Sequence, residues 1–427
     1  MWTRDQAEHF WRRFHVFGQT FAFQSGLQGL AVATGLVIIH AITKEEYGLY
    51  AIVASIQGMA AVLSDSGIGS AVTSQLGRTW QDRDANLGVV LTGLKERQRL
   101  LAGTLPICAL MMIVIAGGKT STTNLVAMEL AMVCCVYFEV GTYLYQLVPL
   151  YTGKRAELQI LQMILGAGRI VSIVALAWLY KINIIALLTI NVLYGFATLY
   201  FIRKLVVGTE PSKPIFHPGL QREIHQSILR LLPTCAFYAF QGQITTYIIS
   251  LFGQLVDVAS VAALGRIGLL FGLLLNVLAM LGAPAFSKAH NKAEGLRIFW
   301  GIVGTLTLFS LAIFVASLLI PGLMLEILGK NYTSLTVELQ ITVITTGLSS
   351  LAGGIWALLS ARGLVGLGWI YIVVTLVVQI AYASVGDLHT VRGVLWFGMA
   401  TAAAHLLNMA IQAYWLILRP KELGRNQ

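Results

Sequence analysis

Twelve apolar stretches dominate this chain, near residues 14–42, 47–74, 100–117, 123–151, 157–180, 182–202, 228–252, 256–284, 298–320, 335–361, 365–385 and 393–418. Each is long enough, at about 1.5 Å of helical rise per residue, to cross ~30 Å of hydrocarbon. The remaining side chains could not cover a soluble surface. Of 427 residues, 57% are hydrophobic and 11% charged, about half the charge density of an ordinary soluble domain. The sequence therefore predicts an all-α integral membrane protein of about twelve transmembrane helices. Arg12 and Arg13 precede a first stretch that is too long for a signal-peptide core and has no small-residue cleavage site, so that stretch is expected to stay as a helix.

The net charge of +10 would suggest a nucleic-acid partner in a soluble protein. Here its distribution argues otherwise. With a cytoplasmic N-terminus, the inside segments hold 22 of the 29 Lys and Arg residues, the outside loops hold five, and Arg169 and Arg266 lie within helices. Positive charge concentrates on the cytoplasmic side of membrane proteins, so both termini are expected there. Attraction to anionic lipids is a secondary effect, and no nucleic-acid partner is expected.

The most polar connection, residues 203–227, holds Pro211, Pro214 and Pro218, three of the nine prolines. It divides the chain into an N-terminal lobe (1–202) and a C-terminal lobe (228–427), each of six helices. The halves echo each other. Glu46-Tyr47-Gly48-Leu49-Tyr50-Ala51 aligns with Asp257-Val258-Ala259-Ser260-Val261-Ala262 at an offset of 211, Thr152-Gly153-Lys154 with Ser360-Ala361-Arg362 at 208, and Gln28-Gly29 loosely with Gln241-Gly242. An even number of helices per repeat keeps both repeats in one orientation, so the expected relation is a pseudo-twofold axis along the membrane normal.

Three segments carry a resemblance: Glu46-Tyr47-Gly48-Leu49-Tyr50, Leu63-Ser64-Asp65-Ser66-Gly67-Ile68-Gly69-Ser70-Ala71, and the turn Gly153-Lys154-Arg155. In these the chain resembles the bacterial polysaccharide transporters, the oligosaccharide and O-antigen flippases of the superfamily that also holds multidrug and toxin extrusion carriers and lipid II flippases. The resemblance implies two six-helix lobes opening alternately to the two sides of the membrane. The implied cargo is an undecaprenyl-pyrophosphate-linked oligosaccharide moved from the inner to the outer leaflet, with a polysaccharide polymerase and glycosyltransferases as partners. The chain lacks the two extra helices typical of the lipid II flippases, which argues against a peptidoglycan precursor.

Ionisable groups at membrane depth are costly and are functional candidates for that reason. Asp65, Glu129, Glu139, Arg169 and Arg266 fall in the apolar stretches. Helical rise puts Glu139 and Arg169 near the midplane of adjacent antiparallel helices, where they can form either a static buried pair or an ion relay. Asp65, among Gly and Ser, suits a helix cap or an ion-coupling site. Arg266 has no acidic partner at its depth. A guanidinium offers bidentate donors to phosphate, so Arg266 is the candidate contact for the cargo pyrophosphate, with snorkelling toward the interface as the plainer role. Gln19, Gln24, Gln28, Gln241, Gln243, Thr245 and Thr246 concentrate uncharged polarity in the first and seventh stretches. Such groups must face other helices or water. Of these, Gln28, Gln241, Gln243 and Thr245 are the candidate sugar contacts.

Other chemistries find little support. Cys108, Cys134, Cys135 and Cys235 lie in apolar stretches without metal-type spacing, and there is no Walker sequence, so no metal or cofactor is expected. The outside loops are too short to house a glycan polymerase or ligase site, and no enzymatic activity is expected. A non-transporting scaffold would leave the polar groups of the first and seventh stretches without a purpose. The nearer alternative is a cation-coupled multidrug exporter of the same superfamily: a cationic drug favours carboxylates, a pyrophosphate favours arginines.

Overall fold

The computed structural model describes residues 4–180, 182–208, 213–216, 218–289, 292–361 and 368–415. Arg362 and the side chains of Gln19 and Gln24 lie outside the described residues. In chain order the helices are α1 (Arg4–Ala41), α2 (Lys44–Asp65), α3 (Ile68–Thr79), α4 (Arg83–Ala116), α5 (Thr122–Tyr151), α6 (Arg155–Leu179), α7 (Ile184–Val207), α8 (Pro218–Gln241), α9 (Ile244–Phe252), α10 (Leu255–Gly265), α11 (Gly268–Lys288), α12 (Lys292–Leu319), α13 (Pro321–Leu328), α14 (Thr336–Ala361), α15 (Gly368–Val385) and α16 (Val391–Ala413). Each of the twelve apolar stretches is helical over most of its described residues. Among the described residues, nine helical spans are long and apolar enough to cross a membrane, and Ser25–Ala41 and Ile370–Val385 are shorter apolar helices.

The side-chain distribution is that of a protein solvated by lipid. The apolar window of α6 has a mean hydropathy of 2.0 with only 6% of it buried, and Leu110, Leu130, Ile164 and Leu308 lie exposed on their helices. Apolar surface so extensive is not sustained in water.

Three stretches predicted as single helices are broken. The second ends α2 at Ser66 (φ 34°) and Gly67 (φ 91°), two successive left-handed residues, before α3 begins. Glycine occupies that conformation without penalty, and a Cβ on Gly67 would come within 2.6 Å of Leu231 Cδ1. Gly67→Ala is therefore expected to lower stability by about 1–3 kcal/mol, measured as an earlier thermal unfolding midpoint in detergent. The seventh stretch breaks at Gly242 and Gln243, between α8 and α9. The eighth breaks at Arg266 and Ile267, whose amides bond Ala263 O and Leu264 O at 3.0 and 3.1 Å. These are the tighter i to i−3 bonds of a 3₁₀ turn set within a membrane helix.

The repeat offset of 211 recurs in the helix starts. Thr43 N–H donates to Glu46 Oε2 at 3.4 Å at the head of α2, and Gln254 N–H donates to Asp257 Oδ2 at 2.9 Å at the head of α10. In both, an acid in the first turn reaches back to satisfy an amide that has no intrahelical partner.

By contacts the chain forms two compact units, one of Met1–Glu46 with Ile52–Gln243, the other of Tyr47–Ala51 with Ile244–Gln427. A core of the first joins Val72 and Leu76 to Val90, Leu144, Leu158 and Ile202, with Leu220 and Ile224 of α8 added. Packing of α8 on α3 and α4 places it with the first unit, although the proline-rich connection precedes it. A core of the second is built on Phe286, Leu306, Leu358 and Met409. All four cysteines are free.

Candidate functional site

Two groups of charged and polar side chains stand out, one in the first unit and one centred on Arg266 of the second. The first surrounds the break after α2. Asp65 accepts from Gly69 N–H at 3.1 Å through Oδ1, and the same oxygen lies 3.7 Å from Arg97 Nη1 of α4. The Arg97 side chain is 4% exposed. Its Nη2 donates to Ala61 O at 3.2 Å, its guanidinium lies 4.6 Å from the Tyr143 ring centroid, and Nε and Nη1 have no hydrogen-bond partner among the described residues. Asp65 thus caps a helix start and is also the counter-charge of a buried arginine. Positive-inside counting treats Arg97 as a topology residue. Its neighbours Lys95 and Arg99 are consistent with that, but its own burial is set by where it falls on the α4 surface.

Glu139 and Arg169, whose shared depth suggests a pair, form no ion pair among the described residues. Glu139 Oε2 accepts from Gln57 Nε2 of α2 at 3.0 Å. Arg169 of α6 donates through Nε and Nη2 to Asn191 Oδ1 of α7, at 3.0 and 2.7 Å, and lies 5.1 Å from the Tyr194 ring centroid. Equal depth fixes position along the helix axis but not around it, and each residue meets a neutral amide first. Glu129 Oε1 in α5 is buried without a hydrogen-bond partner among the described residues.

The second group gives Glu46-Tyr47-Gly48-Leu49-Tyr50 a physical reading. Glu46 Oε1 accepts from Ile184 N–H at 3.3 Å, the start of α7, while its other oxygen holds the cap of α2. Tyr47 is fully buried, and its hydroxyl accepts from Arg266 Nε at 3.2 Å. Tyr50 stacks beside it with ring centroids 6.2 Å apart and also faces the guanidinium. Gly48 has no room for a Cβ, which would strike the backbone carbonyl of Leu255. Within the second unit, residues 47–51 thus pack on the head of α10, and Tyr47 holds Arg266 at the break between α10 and α11. The sequence reading singles out Arg266 but not its tyrosine partners.

The candidate cargo contacts divide between the units. Gln28, Gln241 and Gln243 belong to the first, Thr245 and Arg266 to the second, and all five are partly buried. Gln243 Nε2 lies beside Gly58 of α2, and Thr245 packs on Gly398 of α16. Among the described residues no group of three or more His, Cys, Asp or Glu side chains could hold a metal ion.

No protein-family model and no curated protein matches the chain. Solved structures do. The chain is similar to the inward closed conformation of the lipid II flippase MurJ, with a TM-score of 0.70 at 12% identity over 94% of this chain and 87% of that one. It is also similar to an inward-facing multidrug resistance MATE family transporter of the MOP superfamily, with a TM-score of 0.65 at 17% identity over 91% and 93%. A third is a MOP superfamily transporter from Pyrococcus furiosus, described as having a binding pocket of reverse polarity that suggests a different function, with a TM-score of 0.59 at 13% identity over 92% of each chain. Identities this low speak to the fold. The chain shares the all-helical, two-lobed membrane fold of these solved structures.

Proposed function

We propose that the protein is a flippase that moves an undecaprenyl-pyrophosphate-linked oligosaccharide from the inner to the outer leaflet of a bacterial inner membrane, by alternating access and coupled to an ion, for surface polysaccharide synthesis. The observation that carries this reading is Arg266, a partly buried guanidinium held by Tyr47 at a helix break, in a fold similar to that of a lipid II flippase. A guanidinium carries several N–H donors, and the tyrosines occupy only part of them. In this reading the remaining donors take the pyrophosphate, and Gln28, Gln241, Gln243 and Thr245 meet sugar hydroxyls. Asp65 is the coupling carboxylate, with Arg97 as its counter-charge, while Glu139 and Arg169 hold polar ties between helices. A polymerase and glycosyltransferases would act on the same lipid-linked glycan.

A second reading, a cation-coupled drug exporter, draws on the MATE likeness and on Glu139, a carboxylate held by a neutral amide. Deleting the gene separates the two. A flippase deletion leaves lipid-linked glycan accumulating on the inner leaflet with drug susceptibility unchanged. An exporter deletion raises susceptibility to cationic drugs and leaves the glycan lipid untouched.

A further inference from the structure

A cavity of about 560 Å³ opens within the first unit where the turns after α3, α5 and α7 converge, inside the ~300–1,000 Å³ range of small-ligand sites. Among the described residues its lining carries two cations, Arg83 and Lys154, and no carboxylate, with an apolar wall that includes Pro149 and Val206. Asp82 and Asp84, the acids on either side of Arg83, are both outside the lining, and Asp82 Oδ1 accepts from the amides of Asp84 and Ala85 at 2.9 and 3.0 Å. Arg83 donates to the carbonyl of Val207 at the end of α7. Lys154 differs: it opens α6, its side chain makes no cap bond, and its ammonium has no partner among the described residues.

Depth and surroundings say what such a site would take. α6 and α7, of 25 and 24 residues, are each about 36–38 Å long, so their cavity ends emerge just beyond a ~30 Å hydrocarbon core, at headgroup depth. Trp80, 49% exposed, lines the cavity, and tryptophan concentrates at that depth in membrane proteins. Asn86 fixes its turn: fully buried, it accepts from Thr79 Oγ1 at 2.8 Å and donates to Trp80 O at 3.2 Å. Unpaired positive charge, an interfacial indole and an apolar wall together match a phosphate that carries acyl chains.

We infer that this cavity binds the phosphate headgroup of an anionic phospholipid, with Lys154 as its principal cation. The site is separate from the residues of the transport reading and stands whether or not that reading holds. The test is binding of phosphatidylglycerol to the purified full-length protein in detergent, read by native mass spectrometry and by thermal stabilisation. Phosphatidylcholine is the neutral-lipid arm; inorganic phosphate and glycerol 3-phosphate are the soluble arm. Phosphatidylglycerol is expected to bind and stabilise, and Lys154→Ala to weaken that about fivefold, the worth of one lysine near an anionic surface. Lys330→Ala, a loop lysine outside the cavity lining, should leave binding unchanged. Trp80→Ala should weaken it independently. Equal weakening by Lys154→Ala and Lys330→Ala, or by neither, overturns the site. Equal protection by the soluble phosphates overturns the lipid as its source.

Discussion

Replacing Arg266 with alanine is expected to cut glycan-lipid export by about 10- to 100-fold, the effect of removing ~1.5–3 kcal/mol of charge-assisted hydrogen bonding. Lipid-linked glycan should accumulate on the inner leaflet in proportion. Arg266→Lys keeps the charge but loses the planar fork, so it should export at an intermediate rate. The change has a structural cost of its own, because Tyr47 is fully buried and Arg266 donates to its hydroxyl. Leaving that hydroxyl unpaired costs about 1–3 kcal/mol. Tyr47→Phe resolves the two effects: it removes the tyrosine bond and keeps the guanidinium. If Arg266 contacts the cargo, Tyr47→Phe retains most export while Arg266→Ala does not. Equal export defects in the two variants, at matched expression, would reduce Arg266 to a packing tie.

The membrane fold was legible because it depends on summed hydropathy. Stretches of 18 or more apolar residues in a chain with 11% charge leave few alternatives. The helix breaks were not, since they rest on single residues. Ser66 adopts a left-handed backbone that its identity does not require, and Arg266 and Ile267 shift to i to i−3 bonds within an apolar run. The repeat was legible as residue types and gains a cause in the structure: acids at position 46 and again 211 residues later both cap helices. Pairing was the least legible level. Glu139 and Arg169 share a depth, but Gln57 and Asn191 reach them first. In the sequence Arg97 reads as a topology residue, because nothing in Lys95-Glu96-Arg97-Gln98-Arg99 marks which member turns inward. Its neighbour Glu96 is buried too, held by Arg99 at 2.5 Å and by Gln221 of α8 at 3.0 Å. Hydropathy averages a helix around its circumference, and these assignments depend on one face of it.

Asp65 is where that distinction has the largest energetic consequence. Asp65→Ala removes the counter-charge of Arg97, whose side chain is 4% exposed and already has two nitrogens without hydrogen bonds. An uncompensated buried charge costs about 3–5 kcal/mol, so the variant should unfold at a much lower temperature in detergent and express poorly. It also frees the Gly69 amide that opens α3. Asp65→Asn should be milder, since the amide oxygen can still accept from Gly69 while the charge is lost. The informative variant is the double one, Asp65→Ala with Arg97→Met. Replacing both members of a buried pair by apolar groups is often close to neutral, so stability should return to near the parent value, apart from the lost Gly69 bond. Export then separates the two roles of Asp65. If the carboxylate carries the coupling ion, the double variant is stable and inactive, and imposing an ion gradient on proteoliposomes no longer changes its rate. If the carboxylate only neutralises Arg97, recovery of stability brings export back with it.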